Sequence, residues 1–161
     1  MAKKEEKTNV MRLLDQKKIP YTAHFYPADG PVDGVSVAKM LGQRPEQVFK
    51  TLVTSGSRGG YFVFDIPVEK NLDLKKAAKA VGEKSVSMLP QKDLLPLTGY
   101  VHGGCSPVGM KKLFPTVFDR SAQEFETICV SAGKVGAQVE LAPEALMDFV
   151  RATAADIVVD E

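Results

Sequence analysis

Apolar residues in this chain recur at helical spacing in some stretches and at strand spacing in others, with glycine and proline marking the breaks. Val10, Leu13 and Leu14 form one stripe over residues 8–18, which Thr8 or Asn9 can cap and Pro20 stops. Tyr21–Tyr26 then alternates as a short strand, with Tyr21, Ala23 and Phe25 on one side and Thr22, His24 and Tyr26 on the other. After a breaker-rich loop over 27–34, a short helix is predicted over Val37–Leu41, with Ser36 as its cap and Gly42 closing it. A turn at Pro45–Val48 leads into a strand over Phe49–Thr54. Gly56–Gly60 connects that strand to Tyr61–Pro67, which is apolar and aromatic enough to be buried.

Asp73 caps the clearest helix, Leu74–Val81, whose Leu74, Ala77, Ala78 and Val81 share one face and which Gly82 ends. Lys84–Met88 reads as a strand and Gln91–Leu95 as a helical turn. Strands are predicted over Thr116–Phe118, Glu126–Ser131 and Ala137–Leu141, with a turn at Ser121–Phe125, and Pro143 opens a last helix to about Ala152. Strands outnumber long helices and short turns join several of them. The expected fold is therefore a mixed α/β domain spanning 1–161: a strongly curved, barrel-like, mostly antiparallel sheet with helices outside, rather than a doubly wound parallel sheet.

Composition changes this picture little. At 161 residues, 44% hydrophobic and 25% charged, the chain can bury a substantial core. A net charge of +1 rules out a global basic field, so any nucleic-acid contact rests on a local patch. The densest such patch is Lys70, Lys75, Lys76 and Lys79, a solvated helix face or a place for RNA phosphates. The two cysteines, Cys105 and Cys129, make no disulfide framework and have no zinc-site spacing. With no apolar run behind the charged N-terminus and none long enough to span a membrane, a reduced, cytoplasmic location is expected.

The candidate chemistry centres on Gly99–Lys112. Gly103, Gly104 and Gly109, with Pro107 among them, predict a stiff loop whose free N–H groups could cradle a carbonyl oxygen or a phosphate; a tight surface turn satisfies the same pattern. Cys105 in that loop is either a small filler or a nucleophile needing a partner to lower its pKa. Lys50 interrupts an apolar strand, on the face of Val48 and Leu52, and either snorkels to solvent or heads a cleft. His24 has no convincing acidic companion in the sequence, which argues against a metal site. Ser131–Gly136 has the flavour of a phosphate loop but lacks its first glycine, and Val135 stands where the magnesium-holding hydroxyl would be.

Four blocks together carry a resemblance: Val48–Leu52, Asp73–Ala78, Gly99–Lys112, and Ser131–Gly136 followed by Val139–Leu141. In this order and across nearly the whole chain they resemble the YbaK family of free-standing aminoacyl-tRNA deacylases, related to the editing domain of bacterial prolyl-tRNA synthetases. The resemblance implies hydrolysis of mischarged tRNA in trans, above all Cys-tRNA(Pro), where the size difference between cysteine and proline is too small for one binding site to exclude cysteine. It implies Lys50 and Gly103 as the catalytic pair, and Tyr26, Thr51, Gly104, Ser106, Pro107 and Ser131 as substrate-binding residues, with no cofactor and no metal. The substrate's own thiol would attack its ester, so positioning replaces a protein nucleophile. The acceptor end of tRNA(Pro) is the implied partner, with prolyl-tRNA synthetase a further one. Gln138, where an acidic residue is expected, and Asp33, where some members carry phenylalanine, leave the amino-acid preference open, alanine included. A binding module without turnover, and thiol chemistry at Cys105, are the rival readings.

Overall fold

The computed structural model describes residues 7–30 and 32–160; the charged N-terminal segment, 1–6, and Pro31 of the breaker-rich loop lie outside the described residues. The element order is α1 (Asn9–Gln16), β1 (Thr22–Phe25), α2 (Gly34–Met40), β2 (Phe49–Gly56), β3 (Tyr61–Pro67), α3 (Leu74–Ala80), β4 (Val86–Met88), α4 (Gln91–Thr98), β5 (Thr116–Asp119), β6 (Ile128–Ser131), β7 (Ala137–Leu141), α5 (Pro143–Val150) and β8 (Thr153–Ala155). Short 3-10 turns at Pro45–Gln47 and Arg120–Glu124 precede β2 and β6.

The described strands form two open sheets, one ordered β1-β7-β6 and the other β4-β2-β3-β5-β8, which corrects the expected barrel-like sheet. Neither closes, because the two meet through a single parallel bridge, Val48 to Cys129. Nor is the larger sheet mostly antiparallel throughout: β2 pairs antiparallel with β3 and β4, but β3–β5 and β5–β8 are parallel. Parallel pairing requires a crossover. The segment from α3 to the glycine loop supplies the first, and the stretch through β6, β7 and α5 the second. Strand β8 follows a left-handed Arg151 (φ +56°) and consists of Thr153, Ala154 and Ala155, too short and too small to announce itself by pattern.

Alternation on β2 and β3 divides the core. Phe49, Val53 and Val63 face the main cluster, with Phe118, Val10, Leu14, Ile128, Val139 and Leu146, while Phe62, Phe64 and Ile66 face α3 through Ala77 and Ala78. A small third cluster, Ala38, Val48, Val68 and Cys129, seats α2 at the junction of the sheets. Helix α2 begins earlier than expected: Asp33, not Ser36, is its cap, accepting from the Ser36 N–H at 3.0 Å. Leu74 is 41% exposed, so the buried face of α3 starts at Ala77. Among the described residues no helix is long and apolar enough to cross a membrane.

Candidate active site

Beyond the Val48–Cys129 bridge, β2 and β6 run on in parallel without pairing, and a cleft of about 350 Å³ opens between them. Its wall takes Lys50 and Thr51 from β2, Ser131 from the end of β6, Gln138 from β7, Tyr26 beyond β1, and Gly103 with Cys105 from the glycine loop. Helix α2 contributes Val35 and Val37, and Leu94 and His102 complete one side.

The cleft meets β2 edge-on. Gly56 N–H donates to the Gly60 carbonyl at 2.7 Å and Val68 N–H to the Val48 carbonyl at 2.8 Å, which puts the even-numbered residues of β2 in hydrogen-bonding phase with β3. The odd-numbered peptide groups point to the opposite edge, where Leu89 N–H takes the Val53 carbonyl at 3.0 Å. The peptide of Thr51 is therefore directed at the opening. This is how Lys50 and Thr51, on opposite faces of one strand, line one cleft.

Lys50 is half-buried and forms no ion pair among the described residues. Burial holds its ammonium below the ordinary lysine range, so the site carries a partly desolvated cation that no carboxylate among the described residues pairs. The loop opposite is held from within. Gly104 N–H donates to the Val101 carbonyl at 3.0 Å, Val108 N–H to Ser106 Oγ at 3.2 Å, and the Tyr100 hydroxyl to the Val108 carbonyl. The expected row of outward N–H groups is thus reduced, and Gly103, at φ +85°, is the glycine of the loop that lines the cleft. Gly104 lies flush against the next loop: a Cβ there would sit 3.0 Å from the backbone of Lys134 and Val135. Gly104, Ser106 and Pro107 are all buried and stand behind the cleft wall rather than in it. Ser131 Oγ accepts from Gly133 N–H at 3.1 Å, and Tyr26 N–H donates to the Gly136 carbonyl at 3.0 Å, so the Ser131–Gly136 turn is a structural clamp joining three walls.

Gln138 is 4% exposed, and its Oε1 accepts from Gln43 Nε2 at 2.7 Å, which leaves its own amide as a donor on the cleft floor. Cys105 has its thiol pushed up to about 12, first by burial and then by the nearby Asp65, so it is a protonated filler rather than a nucleophile. Sequence reasoning passed over Asp65. It lies in the middle of β3, 0% exposed, 2.5 Å from Thr51 Oγ1, and its signal was a lone carboxylate in a strand otherwise read as buried.

One strand-step along the same face of the small sheet, His24 acquires the acidic companion that the sequence did not offer. Its Nε2 is 2.7 Å from Glu140 Oε1, Thr127 Oγ1 donates to the other oxygen at 2.5 Å, and Cys129 Sγ lies close enough that the three could hold a metal ion. Both carboxylate oxygens already accept, and burial, with Glu140 adding, pushes the Cys129 thiol up to about 12. Lys76 of the basic patch is engaged by Asp156 and Asp160 at 3.1 and 2.8 Å, so that face is partly neutralised.

A family model of the aminoacyl-tRNA editing domain matches residues 31–149. The chain belongs to the aminoacyl-tRNA editing domain family. It is 49% identical, over 164 aligned positions covering all of both chains, to EbsC of Enterococcus faecalis, a protein named as a Cys-tRNA(Pro)/Cys-tRNA(Cys) deacylase. Among solved structures, one described as a trans-editing enzyme for prolyl tRNA synthetase superposes with TM-score 0.78 at 25% identity, covering 87% of each chain. A hypothetical protein shares the fold at TM-score 0.85 and 23% identity, over 93% of this editing domain and 99% of the other chain.

Proposed function

We infer that this editing domain is an aminoacyl-tRNA deacylase that clears mischarged tRNA, with Cys-tRNA(Pro) as the substrate and the cleft between β2 and β6 as the site. The observation that carries this is convergence: Lys50, Gly103, Ser131 and Tyr26, far apart in sequence, line one cleft whose volume suits an aminoacyl ester and part of its ribose. Lys50 is the cation for the ribose–phosphate end and for charge developing on the ester oxygen. Gly103 lets the aminoacyl group lie against bare backbone. Cysteine esterified in this space brings its own thiol to its own carbonyl, and the protein's neutral Cys105 is not required. The acceptor end of tRNA(Pro) is the part that enters. Prolyl-tRNA synthetase is the partner that supplies affinity, since a net charge of +1 gives the chain little hold of its own on a polyanion. A cytoplasmic place beside the translation machinery follows from that chemistry.

The test is release of labelled amino acid from Cys-tRNA(Pro), Ala-tRNA(Pro) and Pro-tRNA(Pro) at substoichiometric protein, with Lys50→Ala as control. Loss of cysteine alone, dependent on Lys50, is expected. Preferential loss of alanine would reassign the specificity, and binding without turnover would make the chain a recognition module.

A further inference from the structure

Two buried aspartates in the larger sheet are treated differently by their surroundings. Asp119 accepts from the Ser121 N–H and hydroxyl at 3.2 and 2.6 Å and from the Ile157 N–H at 3.2 Å, so both of its oxygens are served. Asp65 has one partner, Thr51 Oγ1 at 2.5 Å from Oδ1, and its Oδ2 is buried with none. A carboxylate asks for donors on both oxygens; a carboxylic acid asks for one acceptor for its proton. The surroundings of Asp65 meet the second request and not the first.

No cation faces it among the described residues. From β2 comes Thr51, from β5 Phe118 in register, and from the glycine loop the protonated thiol of Cys105. The other titratable groups of the cleft are Lys50, on the opposite face of β2, Tyr26, and the exposed Asp33 and His102. Burial raises the Asp65 pKa to about 8, against the smaller lowering by the Thr51 hydroxyl.

The 2.5 Å separation serves donation in either direction. With Asp65 protonated, its O–H donates to Thr51 Oγ1, and the hydroxyl proton of Thr51 is left to point into the cleft. With Asp65 ionised, Thr51 must donate to the carboxylate, and the cleft sees only its lone pairs. We propose that Asp65 is a positioning residue of the editing site, whose protonation decides whether the Thr51 hydroxyl donates to the bound aminoacyl-adenosine end or turns away from it. The proposal rests on the reading that the ester enters this cleft. The group that gains is an oxygen acceptor of the substrate, the ester carbonyl or a ribose oxygen beside it.

Asp65→Asn separates the two states, because a carboxamide donates to Thr51 Oγ1 at every pH and does not titrate. Deacylation of Cys-tRNA(Pro) is followed for the wild type, Asp65→Asn and Thr51→Val from about pH 6.5 to about 9.5, with spontaneous ester hydrolysis subtracted. Titration of the substrate's thiol affects all three proteins alike and cancels in their ratio. The expected result is that wild-type kcat/KM falls about tenfold relative to Asp65→Asn between about pH 7 and 9, and that Thr51→Val loses this dependence with its activity lowered throughout. In parallel, the carboxyl carbon of Asp65 in the folded wild type should titrate with a midpoint near 8, as seen by carbon-detected NMR. A wild-type to Asp65→Asn ratio that is flat with pH, or an Asp65 carbon already ionised at about pH 6.5, overturns the proposal. Should Asp65→Asn fail to fold, the NMR titration and the Thr51→Val profile decide it. A wild type without turnover counts against the proposed function instead, and the carboxyl titration still reports the protonation of Asp65.

Discussion

Gly103→Ala separates the cleft's chemistry from its stability. At φ +85° the backbone is in the left-handed region, where an L side chain costs about 1–2 kcal/mol. The new Cβ would sit 3.1 Å from Val32 Cβ and 3.5 Å from Val135 Cγ2. Val32 is 40% exposed and can yield, so the steric addition stays below about 1 kcal/mol. The total, roughly 1–3 kcal/mol, lowers Tm by about 2–4 °C per kcal/mol in a chain of this size. The catalytic loss is expected to be larger. The methyl enters the wall between Val32 and Val135 and re-aims the Gly103 peptide, and losing one oriented dipole at a developing oxyanion costs about 10²–10³ in kcat. Gly82→Ala is the matched control: φ is +71° and nothing lies within 4 Å of the added Cβ, at the end of α3 and off the cleft wall. Urea melts and single-turnover deacylation of both variants give the comparison. Similar stability losses with activity lost only in Gly103→Ala are expected; Gly103→Ala deacylating as fast as Gly82→Ala would refute the placement of the ester against this loop.

Lys50→Met should raise the unfolding free energy from urea melts by roughly 0.5–1 kcal/mol after allowance for the half-open side chain, while abolishing turnover, because it removes a partly desolvated charge that the proposed substrate would pair. A destabilised or active Lys50→Met would remove Lys50 from that role. Gly34→Ala places a Cβ 2.2 Å from Val68 Cγ1 and 2.6 Å from Val68 Cβ, so α2 must shift; a loss of about 1–3 kcal/mol is expected. In a double-mutant cycle with Val68→Ala the coupling should be favourable, and simple additivity would contradict the contact. Glu140 is held below its ordinary pKa, first by the Thr127 hydroxyl and then by His24. A depressed carboxyl pKa stabilises above the unfolded value, near 4.5, and that stabilisation is lost as pH falls through the folded one. Wild type should therefore lose about 1 kcal/mol more than Glu140→Gln between neutral and acid pH in paired urea melts, and equal losses would refute it.

What the sequence disclosed was local. Asp73, Pro143, Gly42 and Gly82 punctuate helices whatever the tertiary context, and Tyr61–Pro67 and Ala137–Leu141 are strands at the expected bounds. Closure of a sheet is not a local property. Short turns between strands suggested a barrel, but the decision lies with one bridge, Val48–Cys129, beyond which β2 and β6 part. Strand β8 was invisible because Thr153–Ala155 has neither branched residues in series nor alternation; it exists because β5 offers it an edge. Ser106 and Pro107 share a motif with Gly103 yet shape the loop from behind, which residue type alone does not reveal. Glu140 and Asp65 took their partners from 116 and 14 residues away, and no spacing rule joins such pairs.

The cleft is also where this chain departs furthest from what stability alone would select. Lys50 is partly desolvated without an ion pair among the described residues, Asp65 is sealed in with an orphaned oxygen, and Gly103 holds a backbone angle that other residues resist. Each costs something on the order of a kilocalorie or more per mole, and each could be relieved by a single substitution to an apolar residue or by a relaxed turn. Elsewhere such costs occur singly, as at the buried Gln43 Oε1 and the left-handed Lys18 and Arg151, while Asp119 is fully served, Lys76 is paired, and Glu140 has a donor on each oxygen. What sets the cleft apart is that three such costs converge on the gap between two sheets, the pattern expected of a site whose missing partners arrive with the substrate. On the proposed reading, an aminoacyl ester on a ribose–phosphate end would supply an anion for Lys50, an oxygen acceptor for Thr51 above Asp65, and a group that needs bare backbone at Gly103.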